Sequence, residues 1–319
     1  MVFFCNPSEQ TTHSNNDNNN SSNNNVEKAR AFLKKQENVV VDLKLHETRP
    51  VAGKAFGGLT GDKCEPMMAY GLKASMGETI LNDDSDGDSD STKNRQELAA
   101  MCLGFFIHET TVQKGGLAFG IQEESSDDSD SNRDNNNNNK GDGSTIKAVV
   151  IFREYDPSKE NKTPSFLDQI RSTVGGIWAF YSMKSDQLGF PEILQNDSNK
   201  LKQFRKSGEA MEPAFAQLHH LHHEYGPPEK HWYVAVVATD PVSQGKGYGK
   251  RVINLLGQVA DLTGMPCYLE CPEYDRTFYE KCGGYKALKL VTIPFTDPTN
   301  TTEDLSIPFY LMARDPVKK

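Results

Sequence analysis

The chain has 319 residues, with 44 acidic against 35 basic side chains and a formal net charge of −9. That balance argues against nucleic acid as a partner, because a phosphate backbone is met by clustered basic charge. Six scattered cysteines and no signal peptide predict a reduced, cytoplasmic protein, and the apolar runs are far too short to cross a bilayer.

Residues 1–25 are read as a disordered tail, since Asn6 to Asn25 is an Asn/Ser tract with almost nothing apolar to bury. Residues 26–319 are read as a single domain carrying two acidic, Ser/Asn-rich inserts, at 82–92 and 123–143; without them about 250 residues remain, within single-domain range. Val39 to Leu45 alternates like a strand, and Pro50 to Phe56 suits a first helix. In the first insert Asp84, Asp86, Asp88 and Asp90 alternate like the start of a calcium loop. No glutamate follows at the closing position, so the segment reads as a solvated loop. Gln96 to His108 carries a helical stripe of Leu98, Met101, Cys102, Phe105 and Phe106. Leu117 to Ile121 and Ala148 to Phe152 read as paired strands, with the second insert as their hairpin loop. Phe166 to Tyr181 and Leu201 to Tyr225 look helical, the second broken near Pro213. On it His219, His222 and His223 fall at i, i+3, i+4, a spacing that can hold a metal.

The strongest signal follows. Tyr233 to Ala238 is a buried-strand pattern of β-branched and aromatic residues. It leads into the glycine-rich Gln244-Gly245-Lys246-Gly247-Tyr248-Gly249. After it Val252, Ile253, Leu255, Leu256, Val259 and Ala260 recur at helical spacing until Gly264 and Pro266 stop the helix. A glycine-rich turn between strand and helix aims backbone N–H groups and the helix dipole at one point, which suits a phosphate. A P-loop is excluded, because Gly247 follows Gly245-Lys246 where Ser or Thr is required. A Rossmann loop fails as well: counted from Gly245 its last glycine is Lys250, and counted from Gly247 it is Val252. Glu270, about twenty residues on, is the one feature that would suit a dinucleotide.

The run Gln244 to Gly249 matches Gln/Arg-x-x-Gly-x-Gly/Ala and resembles the acetyl-CoA loop of the GNAT superfamily of N-acetyltransferases. His231-Trp232-Tyr233 and Asp240-Pro241 before it, Pro266 to Glu270 after it, and Phe278-Tyr279-Glu280-Lys281-Cys282-Gly283 are similar to the puromycin-acetyltransferase-like branch, in family order from Glu229 to Leu290. The resemblance implies an α/β fold: a mixed central sheet flanked by helices, its fourth and fifth strands splayed around acetyl-CoA. It implies that Val237, Ala238 and Thr239 offer backbone groups to the pantetheine arm and the thioester, one N–H steadying the oxyanion. Gln244, Gly245, Lys246, Gly247, Tyr248 and Gly249 would hold the pyrophosphate, with Lys246, Lys250 or Arg251 meeting the ribose 3′-phosphate. Tyr279 matches the tyrosine that protonates the leaving thiolate, and a phenol of pKa about 10 is suited to that. Glu270 would take the proton of the attacking ammonium, directly or through water, with Glu273, Asp275 or a histidine of the 219–223 cluster as substitutes.

Two positions depart from the family pattern. Asp275 stands where relatives often have Asn, and Gly284-Tyr285 replaces a single aromatic. A rival mechanism would use Cys271 as an acetyl-carrying nucleophile. Cys267, Cys271 and Cys282 lack the paired spacing of a zinc site, and the family chemistry needs no metal. The implied reaction is acetyl transfer from acetyl-CoA, as co-substrate, to a primary amine in a ternary complex. The branch implies a small-molecule amine; a protein or peptide acceptor, or a regulatory module that binds CoA without catalysis, are the alternatives.

Overall fold

The computed structural model describes residues 19–57, 110–113, 115–123, 146–160, 216–295 and 305–318, with single positions at 96, 99, 199 and 214. Helix α1 (Asn19–Leu33) begins inside the segment expected to be unstructured through residue 25. Ala29 and Leu33 on it are fully buried, and Arg30 Nε donates to Asp42 Oδ1 at 2.8 Å. Tertiary burial holds this helix, where the weak helix propensity of asparagine alone would not.

Strand β1 (Val39–Val41) is shorter than the expected Val39–Leu45. Asn38 and Asp42 flank it with φ of +55° and +61°, left-handed values that stop a strand and that Asn and Asp tolerate best after glycine. Helix α2 (Leu45–Gly57) therefore starts ahead of the expected Pro50, with Glu47 Oε2 accepting the Lys44 N–H at 2.7 Å at its entry. Strands β2 (Leu117–Gln122) and β3 (Ile146–Tyr155) pair antiparallel as expected, Leu117 opposite Phe152 and Ile121 opposite Ala148. The insert between them, like that at 82–92 and the helix expected over Phe166–Tyr181, lies outside the described residues. Of the helix expected over Gln96–His108 only residues 96 and 99 are described, both helical.

Helix α3 covers residues 216–225. Strand β4 (His231–Thr239), helix α4 (Tyr248–Thr263), strand β5 (Cys267–Pro272) and helix α5 (Arg276–Gly283) follow. Strands β6 (Lys286–Phe295) and β7 (Leu305–Arg314) complete a seven-stranded mixed sheet of order β1-β2-β3-β4-β5-β7-β6. Among the described strands only β4 and β5 run parallel, joined through α4.

Each face of the sheet carries a core. On one, Tyr233, Ala235, Tyr268 and Leu311 pack under Val51, Ala52 and Phe56 of α2 and Leu218 of α3. On the other, Trp232, Val234 and Leu269 meet α1 and the stripe Val252, Ile253, Leu256, Val259 and Ala260 of α4. Trp232 anchors this second core: fully buried, it donates its indole N–H to Thr263 Oγ1 at 2.9 Å and meets Phe152 edge-on. No helix among the described residues is long and apolar enough to cross a membrane.

Candidate active site

Pairing along β4 is irregular in a way that opens the sheet. Ile151 of β3 faces Val236 and Phe152 faces Val234, so Ala235 is an extra residue, a bulge. Ala235 and Val236 both turn to the α2 face, while Val234 and Val237 turn to the α4 face. On its other side β4 meets β5 at two register pairs, Trp232 with Cys267 and Tyr233 with Tyr268, and then the strands part. The Asp240 N–H donates to Lys147 O at 2.9 Å, towards β3. By strand alternation the N–H groups of Ala238 and Val236 point the same way, and those of Thr239 and Val237 point into the gap beside β5.

At the end of β4, Asp240 Oδ1 accepts the Val242 N–H at 3.2 Å and fixes a short 3₁₀ turn, Pro241–Ser243. Gly245 and Gly247 then take φ of +76° and +89°, and Gly247 is the N-cap of α4 with no side chain capping the helix. The first-turn N–H groups and the positive end of the helix dipole are thereby left facing the loop. Gly249 is held by close approach: a Cβ there would lie 3.0 Å from Thr239 Oγ1 and 3.4 Å from the Phe278 ring. Beside the loop lies a cavity of about 260 Å³, lined by Lys246, Tyr248 and Arg251 on one side and Asn38, Gln122 and Glu123 on the other. Lys250 does not line it. Arg251 also donates to the Glu37 carbonyl, fastening the corner between α1 and β1 beside the loop.

The proposed acid and base sit on opposite faces. Cys267, Leu269 and Cys271 of β5 turn to the α4 side; Tyr268 and Glu270 turn away. Tyr279, on α5, lies on the α4 side, 8% exposed, edge-on to Phe278 and Tyr285. Burial, then the neighbouring Asp275 and Cys271, push its phenol well above the ordinary value, so it stays protonated. Glu270, 5% exposed, accepts a hydrogen bond from Tyr233 Oη to Oε2 at 3.1 Å. Burial raises its pKa, and the phenols of Tyr268 and Tyr233 work against that by favouring the charged carboxylate.

Residues 213–284 match the model of the acetyltransferase (GNAT) family. The chain carries a GNAT acetyltransferase domain. It is an acetyl-CoA-dependent acyltransferase. No curated protein matches the sequence. Structural neighbours of the chain include mosquito arylalkylamine N-acetyltransferase like 5b, 11% identical, covering 87% of this chain and 99% of that one at a TM-score of 0.37. The Drosophila melanogaster polyamine N-acetyltransferase is 12% identical, with coverages of 87% and 99% and a TM-score of 0.36. The Corynebacterium glutamicum histone acetyltransferase HPA2 and related acetyltransferase is 12% identical, with coverages of 80% and 92% and a TM-score of 0.33. Likenesses at this level carry no argument about the acceptor.

Several candidates separate once the GNAT domain is seen folded. Cys271 is 1% exposed with Sγ 3.4 Å from Met312 Sδ, and burial pushes it up to about 12. It is held as a thiol, whereas the ping-pong alternative needs the thiolate. Asp275 lies on the Tyr279 side, raised to about 6 by burial, and Glu273 is exposed. The three histidines do not converge: His222 is buried, His219 half-buried and His223 exposed. Among the described residues no group of three or more His, Cys, Asp or Glu is placed to hold a metal. His222 instead meets His231, Nε2 to Nε2 at 2.8 Å, and stacks on Tyr268. Sequence reasoning passed over His231, Tyr233 and Tyr268 as parts of the site. The period of 2 along β5 was the available signal, since it sets Tyr268 on the face of Glu270.

Proposed function

We propose that this enzyme transfers acetyl from acetyl-CoA to the primary amine of a small molecule, by direct attack in a ternary complex. The observation that carries the reading is the parting of β4 from β5 next to the glycine loop, with a buried carboxylate on one side and a buried phenol on the other. The start of α4 fits a pyrophosphate: no side chain caps its N–H groups, and a Cβ at 249 would press on Thr239 Oγ1 and the Phe278 ring beside it. Lys246 and Arg251, which line the adjoining cavity, meet the ribose 3′-phosphate in preference to Lys250. Backbone N–H groups at Val237 and Thr239 take the thioester oxygen as it becomes an oxyanion.

Glu270 removes the proton that keeps the amine from attacking. The amine lone pair bonds the carbonyl carbon, the carbon–sulfur bond breaks, and the electron pair leaves on sulfur. Tyr279 gives that sulfur its proton, and the second proton shed by the nitrogen as it becomes an amide restores the phenol. The small-molecule acceptor rests on the resemblance to the puromycin-type branch and on the burial of Glu270, 5% exposed. The test is acceptor-dependent release of CoA thiol, wild type against Tyr279→Phe, over a panel of arylalkylamines, agmatine, polyamines and amine-bearing peptides. Release with small amines that collapses in the variant supports the reading. Release only with peptides moves the acceptor to proteins, and tight binding of acetyl-CoA without release to any acceptor makes the chain a CoA-binding module.

A further inference from the structure

We propose that the buried His222–His231 pair is a positioning device that, through the stacked rings of Tyr233 and Tyr268, holds the Tyr233 hydroxyl against the Glu270 carboxylate. The inference rests on the reading of Glu270 as the base. It starts from proton counting. His231 Nδ1 lies 2.8 Å from Glu229 O, and a carbonyl only accepts, so Nδ1 carries the hydrogen. In the neutral ring His231 Nε2 is then an acceptor, and His222 Nε2, 2.8 Å away, must donate to it. One hydrogen between the rings fixes both tautomers and both ring orientations. Charging His222 is opposed by burial first, then by His231 and Arg153.

The fixed ring is a platform. Tyr268 lies on it at 4.1 Å between centroids and 6° between planes; Tyr233 lies at 5.0 Å and 23°. Tyr155 of β3 approaches at 4.3 Å. From below, Gly226 closes the space, since a Cβ there would come within 2.7 Å of His222 Cδ2. A phenol is rigid beyond its ring, so placing the ring places the hydroxyl. Tyr233 Oη thereby donates to Glu270 Oε2, and the Tyr268 phenol is raised by burial and then by the facing Glu270. The titratable and charged groups around this assembly are Arg153 and Tyr155 on β3, His219 and His223 on α3, Tyr233 on β4, and Tyr268 and Glu270 on β5. Opposite Glu270, β7 supplies Leu311, which carries no charge.

The sign of the effect follows. The Tyr233 hydrogen bond favours the carboxylate and burial disfavours it, so loosening Tyr233 lets Glu270 hold its proton to higher pH. The experiment is the pH profile of kcat/KM for wild type, His222→Leu, His222→Gln, His222→Phe and Glu270→Gln. His222→Gln keeps an N–H for His231 but lacks the flat ring, so it also serves if His222→Leu does not fold. In Leu and Gln the acid limb is expected to move up by about one pH unit, with kcat down about tenfold at neutral pH and the acetyl-CoA KM unchanged. His222→Phe keeps a flat ring but lacks the N–H that fixes its orientation on His231, so its limb is expected to return part of the way towards wild type. A folded His222→Gln whose limb coincides with wild type overturns the proposal, as does a Phe variant no better than Gln. If Glu270→Gln abolishes the acid limb while the His222 variants leave it in place, the positioning role alone falls. If Glu270→Gln keeps full activity and the limb, the reading of Glu270 as base falls with it.

Discussion

Gly247→Ala isolates what the glycine loop contributes. Gly247 has φ +89° and ψ −1° at the N-cap of α4, and a Cβ there would meet nothing within 4 Å. No collision can therefore explain an effect; only the backbone can. A residue with a Cβ in the left-handed region costs about 1–2 kcal/mol. Gly247 is exposed, so in the free enzyme the loop relaxes away from that conformation, and the cost appears when the ligand requires it. Acetyl-CoA binding should weaken by about 5- to 30-fold. Gly247→Asn should fall between Ala and wild type, because Asn tolerates left-handed φ better than Ala does. The assay is calorimetric binding of CoA together with the KM for acetyl-CoA. S-acetylpantetheine, which lacks the pyrophosphate, is the control, and its KM should not change. Equal CoA affinity in Gly247→Ala and wild type would refute the argument that this loop places N–H groups on the pyrophosphate. So would an equal loss for S-acetylpantetheine, which the loop does not touch in this reading.

Tyr279→Phe should lower kcat by about 10²–10⁴-fold with acetyl-CoA affinity intact, measured by thiol release and calorimetry. Because burial holds the Tyr279 phenol well above 10.0, wild-type kcat should show no alkaline fall up to that pH, and an earlier fall would remove Tyr279 as the acid. Glu270→Gln should stop transfer yet raise the melting temperature at pH 7. The folded carboxyl binds its proton more tightly than the unfolded one at 4.5, so ionised Glu270 costs stability from that pH upward, and the advantage of Gln should vanish as the pH falls below it. Trp232→Phe should cost about 1–3 kcal/mol through the lost indole hydrogen bond to Thr263 and the space left behind, seen as a lower denaturant midpoint at unchanged slope.

What could be read in the sequence was local. The stretch from β4 to α4 announces itself because β-branched residues, glycines and a helical stripe follow one another without interruption, and each of Val252, Ile253, Leu255, Leu256, Val259 and Ala260 is buried. Gly264 takes φ +69° as the C-cap of α4, as a glycine ending a helical stripe should. Features set by long-range contact were not legible. α1 is helical through asparagines because Ala29 and Leu33 find a core against α4. β1 is cut short by left-handed residues, which composition does not mark. The three histidines were grouped by helical spacing, but burial sorted them singly, and His222 found its partner across the turn, at the head of the next strand. A side chain's companions across a sheet depend on register, and register is fixed only when the strands meet.

One inserted residue explains why the site can exist. In a regular sheet Glu270 and Tyr279 would stand on opposite faces with a closed layer of backbone between them, and a base and an acid so divided could not serve one substrate. Ala235 breaks that layer. As the bulged residue it shifts the phase of β4, so that Val237 and Thr239 point their N–H groups away from β3. Without it the same N–H groups would be committed to β3, and Val236 and Val237 would exchange faces. Pairing with β5 ends two residues before the bulge, at Tyr233 and Tyr268, so the freed groups look into open space. The glycine loop begins where that space ends, because β4 runs directly into it. The bulge, the gap and the loop are thus consecutive consequences of one stretch of chain, and in the proposed reaction they are what would let the Glu270 carboxylate and the Tyr279 phenol meet one thioester from opposite sides of the sheet.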